Sequence, residues 1–95
     1  MEKATVIEIV LFKAKESIKT EDAQKELMRL NRFLERQAGY IFRKTAISSD
    51  NEYLDIVYWK DLTSAQAAAG KAEKDPEALE IFSVIGEQSV FKHYE

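Results

Sequence analysis

The chain has 95 residues, 14 Lys and Arg against 17 Asp and Glu, a formal net charge of −3, and no Cys. A length of this order makes one small domain, residues 1–95, with no room for a second core. The absence of Cys excludes a disulfide framework, a thiol nucleophile and any Cys-based zinc or iron–sulfur site, and the acidic balance argues against nucleic-acid binding, which leaves a basic footprint.

Met1-Glu2-Lys3-Ala4-Thr5 runs straight into strand-like residues that include Glu8. It lacks the long uncharged core and small-residue cleavage site of a secretory signal. No apolar run approaches the roughly 20 residues of a membrane-spanning helix, so a cytoplasmic protein is expected.

Thr5 to Phe12 reads as the first strand, rich in β-branched and apolar residues. Thr5, Ile7, Ile9 and Leu11 look like its core-facing set, which leaves Val6, Glu8, Val10 and Phe12 on the opposite face. Thr20 is expected to cap a helix, with Glu21 and Asp22 favourable in its first turn. Ala23, Leu27, Leu30, Leu34 and Ala38 recur at spacings of three and four, widened by Met28 and Phe33, and Gly39 ends the helix. Arg29, Arg32 and Arg36 are interrupted by Glu26 and Glu35 and read as a solvated mixed-charge face.

Tyr40 to Ile47 and Tyr53 to Trp59 form a hairpin around Ser48-Ser49-Asp50-Asn51-Glu52. In its second strand Asp55, Val57 and Trp59 share one face, and Leu54, Ile56 and Tyr58 the other. If the paired residue numbers sum to an even value, Arg43 joins Asp55 and Trp59; a slip of one residue sends it to the other side. Asp61 or Thr63 caps an Ala-rich helix to about Ala72. Asp75-Pro76-Glu77 starts another, with Ala78, Leu79 and Phe82 apolar and Gly86 breaking it. Gln88 to Tyr94 is the last strand.

The order strand, helix, strand, strand, helix, strand, with right-handed crossovers, predicts an α+β, ferredoxin-like βαββαβ fold. Its four-stranded antiparallel sheet carries the helices on one face. The bare face is expected to hold Glu8, Val10, Phe12, Asp55, Val57 and Trp59, too apolar for water. A homodimer with its sheets face to face is the expected remedy.

Gly39-Tyr40-Ile41-Phe42-Arg43, Asp55-Ile56-Val57-Tyr58-Trp59, the Ala-rich helix after it and Ser89-Val90-Phe91-Lys92-His93-Tyr94 together resemble the dimeric α+β barrel superfamily. Within it, the chain is most similar to antibiotic-biosynthesis monooxygenase-like domains, along essentially its whole length. The resemblance implies a dimer whose sheets form a barrel, and a pocket between sheet and helices in each protomer. It also implies oxidation of aromatic compounds without metal or flavin in some relatives, and haem degradation in others. The haem-degrading pattern is an Asn on the first strand, a Trp ending the third and a His on the next helix. Trp59 matches, but Glu8 or a neighbour stands where the Asn would be, and residues 60 to 84 contain no His.

The expected function is small-molecule binding, with cofactor-independent oxidation of an aromatic compound as its chemistry. Trp59 would stack on the ligand, Glu8 and Phe12 would line the pocket, His93 or Asp55 would take a proton, and Arg43 would stabilise an oxyanion. Each residue has a plainer alternative. Trp59 could seal the helix–sheet junction, Asp55 could pair with Arg43 or with a dimer mate, and His93 could be an exposed residue near the chain's end. His93 could also approach Glu8, because the last strand of this architecture lies beside the first. No metal and no cofactor is expected. A non-catalytic dimeric module is the rival reading; it requires Arg43, Asp55 and Glu8 in a closed ionic network with no cavity beside it.

Overall fold

The computed structural model describes residues 4–95, so the start of the N-terminal reading, residues 1–3, lies outside it. The elements are β1 (Val6–Ala14), α1 (Thr20–Glu35), β2 (Tyr40–Ile47), β3 (Glu52–Trp59), α2 (Leu62–Ala72), α3 (Pro76–Phe82) and β4 (Ile85–Tyr94). The strands form one antiparallel sheet in the order β2-β3-β1-β4, the ferredoxin-like arrangement, with the helices on one face.

One expectation about the sheet is reversed. Val6, Glu8, Val10, Phe12, Asp55, Val57 and Trp59 are buried under the helices, while Ile7, Ile9, Leu11, Leu54, Ile56 and Tyr58 are half-buried on the bare face. Glu8 goes inside with that set, where a lone carboxylate would be costly; His93 supplies its partner within the fold. The bare face is nonetheless an apolar surface. Phe42 leans on Tyr58 there, with ring centroids 5.9 Å apart.

Helix α1 buries Ala23, Leu27, Leu30, Phe33 and Leu34, whereas Met28 is exposed and Ala38, beyond the helix, lies outside that set. Lys19 rather than Thr20 is the N-cap, with no side-chain bond, and the helix stops at Glu35, earlier than Gly39 suggested. Arg29 turns out to bridge to α3, reaching Glu80 at 3.3 Å and Glu77 at 3.5 Å as well as Glu26 at 2.7 Å. Asp61 and Asp75 cap α2 and α3 by accepting from the amides of Ser64 and Ala78 at 2.7 and 2.8 Å. In α3 the inward residues are Ala78 and Ile81; Leu79 is exposed. β4 starts at Ile85, earlier than Gln88, and includes Gly86.

Gly39 enters β2 with φ of +83°, a conformation costly for other residues. A Cβ there would fall 2.3 Å from Ser64 Oγ and 2.4 Å from Ser64 Cβ, at the first turn of α2. Gly39→Ala is therefore expected to cost at least about 2 kcal/mol, from the left-handed backbone and the overlap together. A denaturant titration with an unchanged midpoint would contradict this.

The buried residues fall into two clusters. One gathers Trp59, Val57, Phe33 and Leu34 with Ala65, Ala68, Ala78 and Ile81; the other joins Phe12, Val10, Leu27, Ala23 and Tyr53. Between them the packing opens.

Candidate functional site

A cavity of about 400 Å³ lies between the inner sheet face and the helices, lined from both clusters. Its size falls within the roughly 300–1,000 Å³ typical of small-molecule sites. Val10, Phe12 and Val57 line it on the sheet side, and Leu27, Leu30 and Phe33 on α1. Ala68 and Ala72 line it from α2, where small side chains leave room. The exposed residues Leu79, Gln88 and Phe91 mark a mouth beside β4, the sheet edge.

Trp59 walls the cavity at the junction of β3 and α2 and is 1 % exposed. The register explains its direction. Arg43 pairs with Val57 and Thr45 with Asp55, the even-sum alignment, and an irregularity between Tyr40 and Phe42 puts Tyr40 opposite Trp59. The Tyr40 ring meets the indole edge-on, centroids 6.0 Å apart. Trp59 Nε1 is buried without a hydrogen-bond partner. A donor left in that state ordinarily costs about 1–3 kcal/mol.

Arg43 shares the inner face but is not a cavity wall. Its Nε and Nη2 donate to Asp55 Oδ1 and Oδ2 at 2.9 and 2.7 Å, and Nη1 donates to the Leu27 carbonyl at 2.8 Å and Asn31 Oδ1 at 2.9 Å. This bidentate clamp ties the hairpin to α1. Asp55 lines the cavity with both oxygens committed to Arg43. Asn31 went unnoticed in the sequence. Its one signal was a polar residue four positions after Leu27, on the inward side of α1.

Glu8 and His93 are direct partners in the β1–β4 register, and His93 Nε2 lies 2.9 Å from Glu8 Oε1. Burial pushes the Glu8 carboxyl above its ordinary value of 4.5. The hydrogen bond and charge of His93 oppose that rise, Asp55 adds to it, and the Trp59 indole pulls weakly the other way. Phe91 packs edge-on against His93, centroids 5.5 Å apart. Phe12 stacks on Tyr53 at 5.2 Å.

Thus Glu8, Phe12, Asp55 and Trp59 line the cavity, while Arg43 and His93 stand behind its two inward carboxylates, each holding one. Among the described residues, no group of three or more His, Cys, Asp or Glu gathers as a metal site. Nor is any helix among them long and apolar enough to cross a membrane.

This sheet and its helices have the same fold as several solved structures described as antibiotic-biosynthesis monooxygenases or as a cofactor-independent oxygenase. A single-residue mutant of SnoaB, a cofactor-independent oxygenase from Streptomyces nogalater, superimposes with a TM-score of 0.78 at 17 % identity, over 95 % of this chain and 90 % of that one. A Bordetella bronchiseptica protein assigned as an antibiotic biosynthesis monooxygenase gives 0.81 at 12 % identity, covering 98 % and 97 %. A mutant of MhuD, with two manganese protoporphyrin IX molecules bound per active site, gives 0.68 at 14 % identity, covering 95 % and 92 %. No family model matches the sequence, and none of the curated proteins does.

Proposed function

We propose that the cavity binds an electron-rich, hydroxylated aromatic compound and that the protein catalyses its oxygenation by dioxygen without a resident cofactor. The observation that carries this reading is an apolar cavity of about 400 Å³ walled by the Trp59 indole and edged by a carboxyl that burial makes more basic. The likeness in fold to SnoaB, described as a cofactor-independent oxygenase, supports it. In the overall reaction a phenol with an unsubstituted para carbon and one O₂ give a quinone and one water. The hydroxyl proton leaves and the ring supplies the electrons that break the O–O bond. One oxygen becomes the new carbonyl; the other departs as water with the ring hydrogen.

Trp59 would stack on the ring and Phe12 would pack against it. Arg43, whose nitrogens are spent on Asp55, Asn31 and Leu27, would act by positioning Asp55 rather than by meeting an oxyanion. Haem binding is less well supported: the only His of the chain bonds Glu8 from behind and is not a cavity wall. The rival, non-catalytic reading required the ionic network to stand without a cavity, yet Asp55 and Glu8 both line one. We further infer a homodimer, formed through the bare sheet faces.

Anthrone, whose enol is a phenol of this kind, is a suitable probe. Oxygen uptake yielding anthraquinone is expected above the uncatalysed rate. Trp59→Phe, losing the N–H and part of the stacking surface, should weaken anthrone binding about tenfold, or about 1.4 kcal/mol. Absence of both binding and oxygen uptake in the wild-type protein would sink the reading.

A further inference from the structure

We propose that Glu8 and His93 form a proton exit from the cavity: Glu8 takes the proton of a hydroxyl on the bound aromatic ligand, and His93 passes it to water beside β4. This deepens the function proposed above and rests on it.

Glu8 has two neighbourhoods. On one side it lines the cavity, and on the other its Oε1 meets His93 Nε2 at 2.9 Å. His93 is on the edge strand, outside the cavity, with its side chain 17 % exposed. The pair therefore connects the apolar cavity to solvent through two side chains. Trp59 stands diagonally across the β1–β3 pairing from Glu8 in the same wall, since Val6 pairs with Trp59 and Glu8 with Val57, and its buried indole N–H draws weakly on the Glu8 carboxyl. A ligand hydroxyl that reaches Glu8 gives its proton to the carboxylate.

No other wall group can take that proton. Both Asp55 oxygens are held by Arg43, and the α1 and α3 walls bear no ionisable side chain. Glu73, on the exposed rim after α2, is already in water. The charged or titratable groups around Glu8 are thus His93 from β4, Asp55 from β3 with Arg43 of β2 behind it, and Glu73 at the rim. The transfer is a proton relay with no change of oxidation state. The ligand O–H breaks as the Glu8 carboxyl gains the proton. His93 accepts it at Nε2 and releases one from Nδ1 to water, and a tautomer change resets the ring.

The probe is 2-naphthol, with 2-methoxynaphthalene, which has no proton to give, as its control. In a water-poor cavity excited 2-naphthol emits as the neutral molecule unless a base accepts its proton. Anisotropy identifies the bound fraction. Bound to the wild-type protein it should emit as naphtholate once the pH exceeds the Glu8 ionisation, and Glu8→Gln should return the emission to the neutral form at every pH. His93→Gln removes two influences that favour the ionised carboxyl, leaving burial and Asp55 to raise it. Its naphtholate emission should therefore begin at a higher pH than in the wild type. A His93 that only held the strand would change the amplitude without moving that pH. Naphtholate emission persisting in Glu8→Gln, a His93→Gln titration coincident with wild type, or neutral emission throughout in the wild type would each overturn the relay alone. Failure of the wild-type protein to bind either naphthalene would overturn the aromatic-ligand reading and the relay together. Should Glu8→Gln not fold, the His93→Gln titration decides.

Discussion

Arg43→Met is expected to destabilise the protein by about 3–5 kcal/mol, the usual cost of leaving one member of a buried ion pair alone. Four hydrogen bonds end on this guanidinium, two to Asp55, one to Asn31 and one to the Leu27 carbonyl. Its side chain is 3 % exposed and that of Asp55 9 %, so water cannot readily replace them. Methionine keeps much of the length and none of the donors. Lysine keeps the charge but offers no planar fork, and Arg43→Lys should recover only part of the loss. Arg43→Met combined with Asp55→Leu should be considerably more stable than Arg43→Met, because the stranded carboxylate is removed with its partner. Urea titrations of the three variants test this; a loss below about 1 kcal/mol in Arg43→Met would mean that the clamp contributes little beyond its own desolvation.

The second large effect concerns the bare face of the sheet. The wild-type protein should sediment at twice the 10.9 kDa mass of one chain, and Ile56→Glu should weaken the dimer at least 100-fold, about 2.7 kcal/mol. Ile56 lies centrally on that face, opposite Ile9 in β1 and Lys44 in β2. A carboxylate there would be trapped against a second apolar sheet with no partner. The substitution leaves the inner face untouched, so circular dichroism should remain that of the folded chain. Sedimentation of the wild type as a monomer at micromolar concentration would remove the dimer altogether.

Element order and type were legible because each carries a local cause: the spacing of Leu27, Leu30 and Leu34, the Asp61 and Asp75 caps, and the turn between the hairpin strands. Which sheet face the helices cover was not legible. β1 is apolar on both sides, and its one discriminating residue, Glu8, is buried through a partner 85 positions away. Strand alternation sorts residues into two sets without saying which set meets the helices. The Arg43–Asp55 pair was readable as soon as an even register was assumed. Asn31 and the Leu27 carbonyl were not, because their link to Arg43 is made by the docking of α1, which no hairpin rule contains.

The two ionic pairs also differ in how far along the chain they reach. Arg43 and Asp55 are 12 residues apart, so closing their hairpin immobilises little chain, whereas Glu8 and His93 meet only after a closure of 85 residues. The longer closure is the less favourable start to folding, and it depends on β4, an edge strand whose pairing with β1 twice shifts register. Any local fraying of β4 would therefore separate His93 from Glu8 while leaving the hairpin clamp shut. One pair is closed by a single hairpin and the docking of α1, and the other exists only for as long as the last strand is docked.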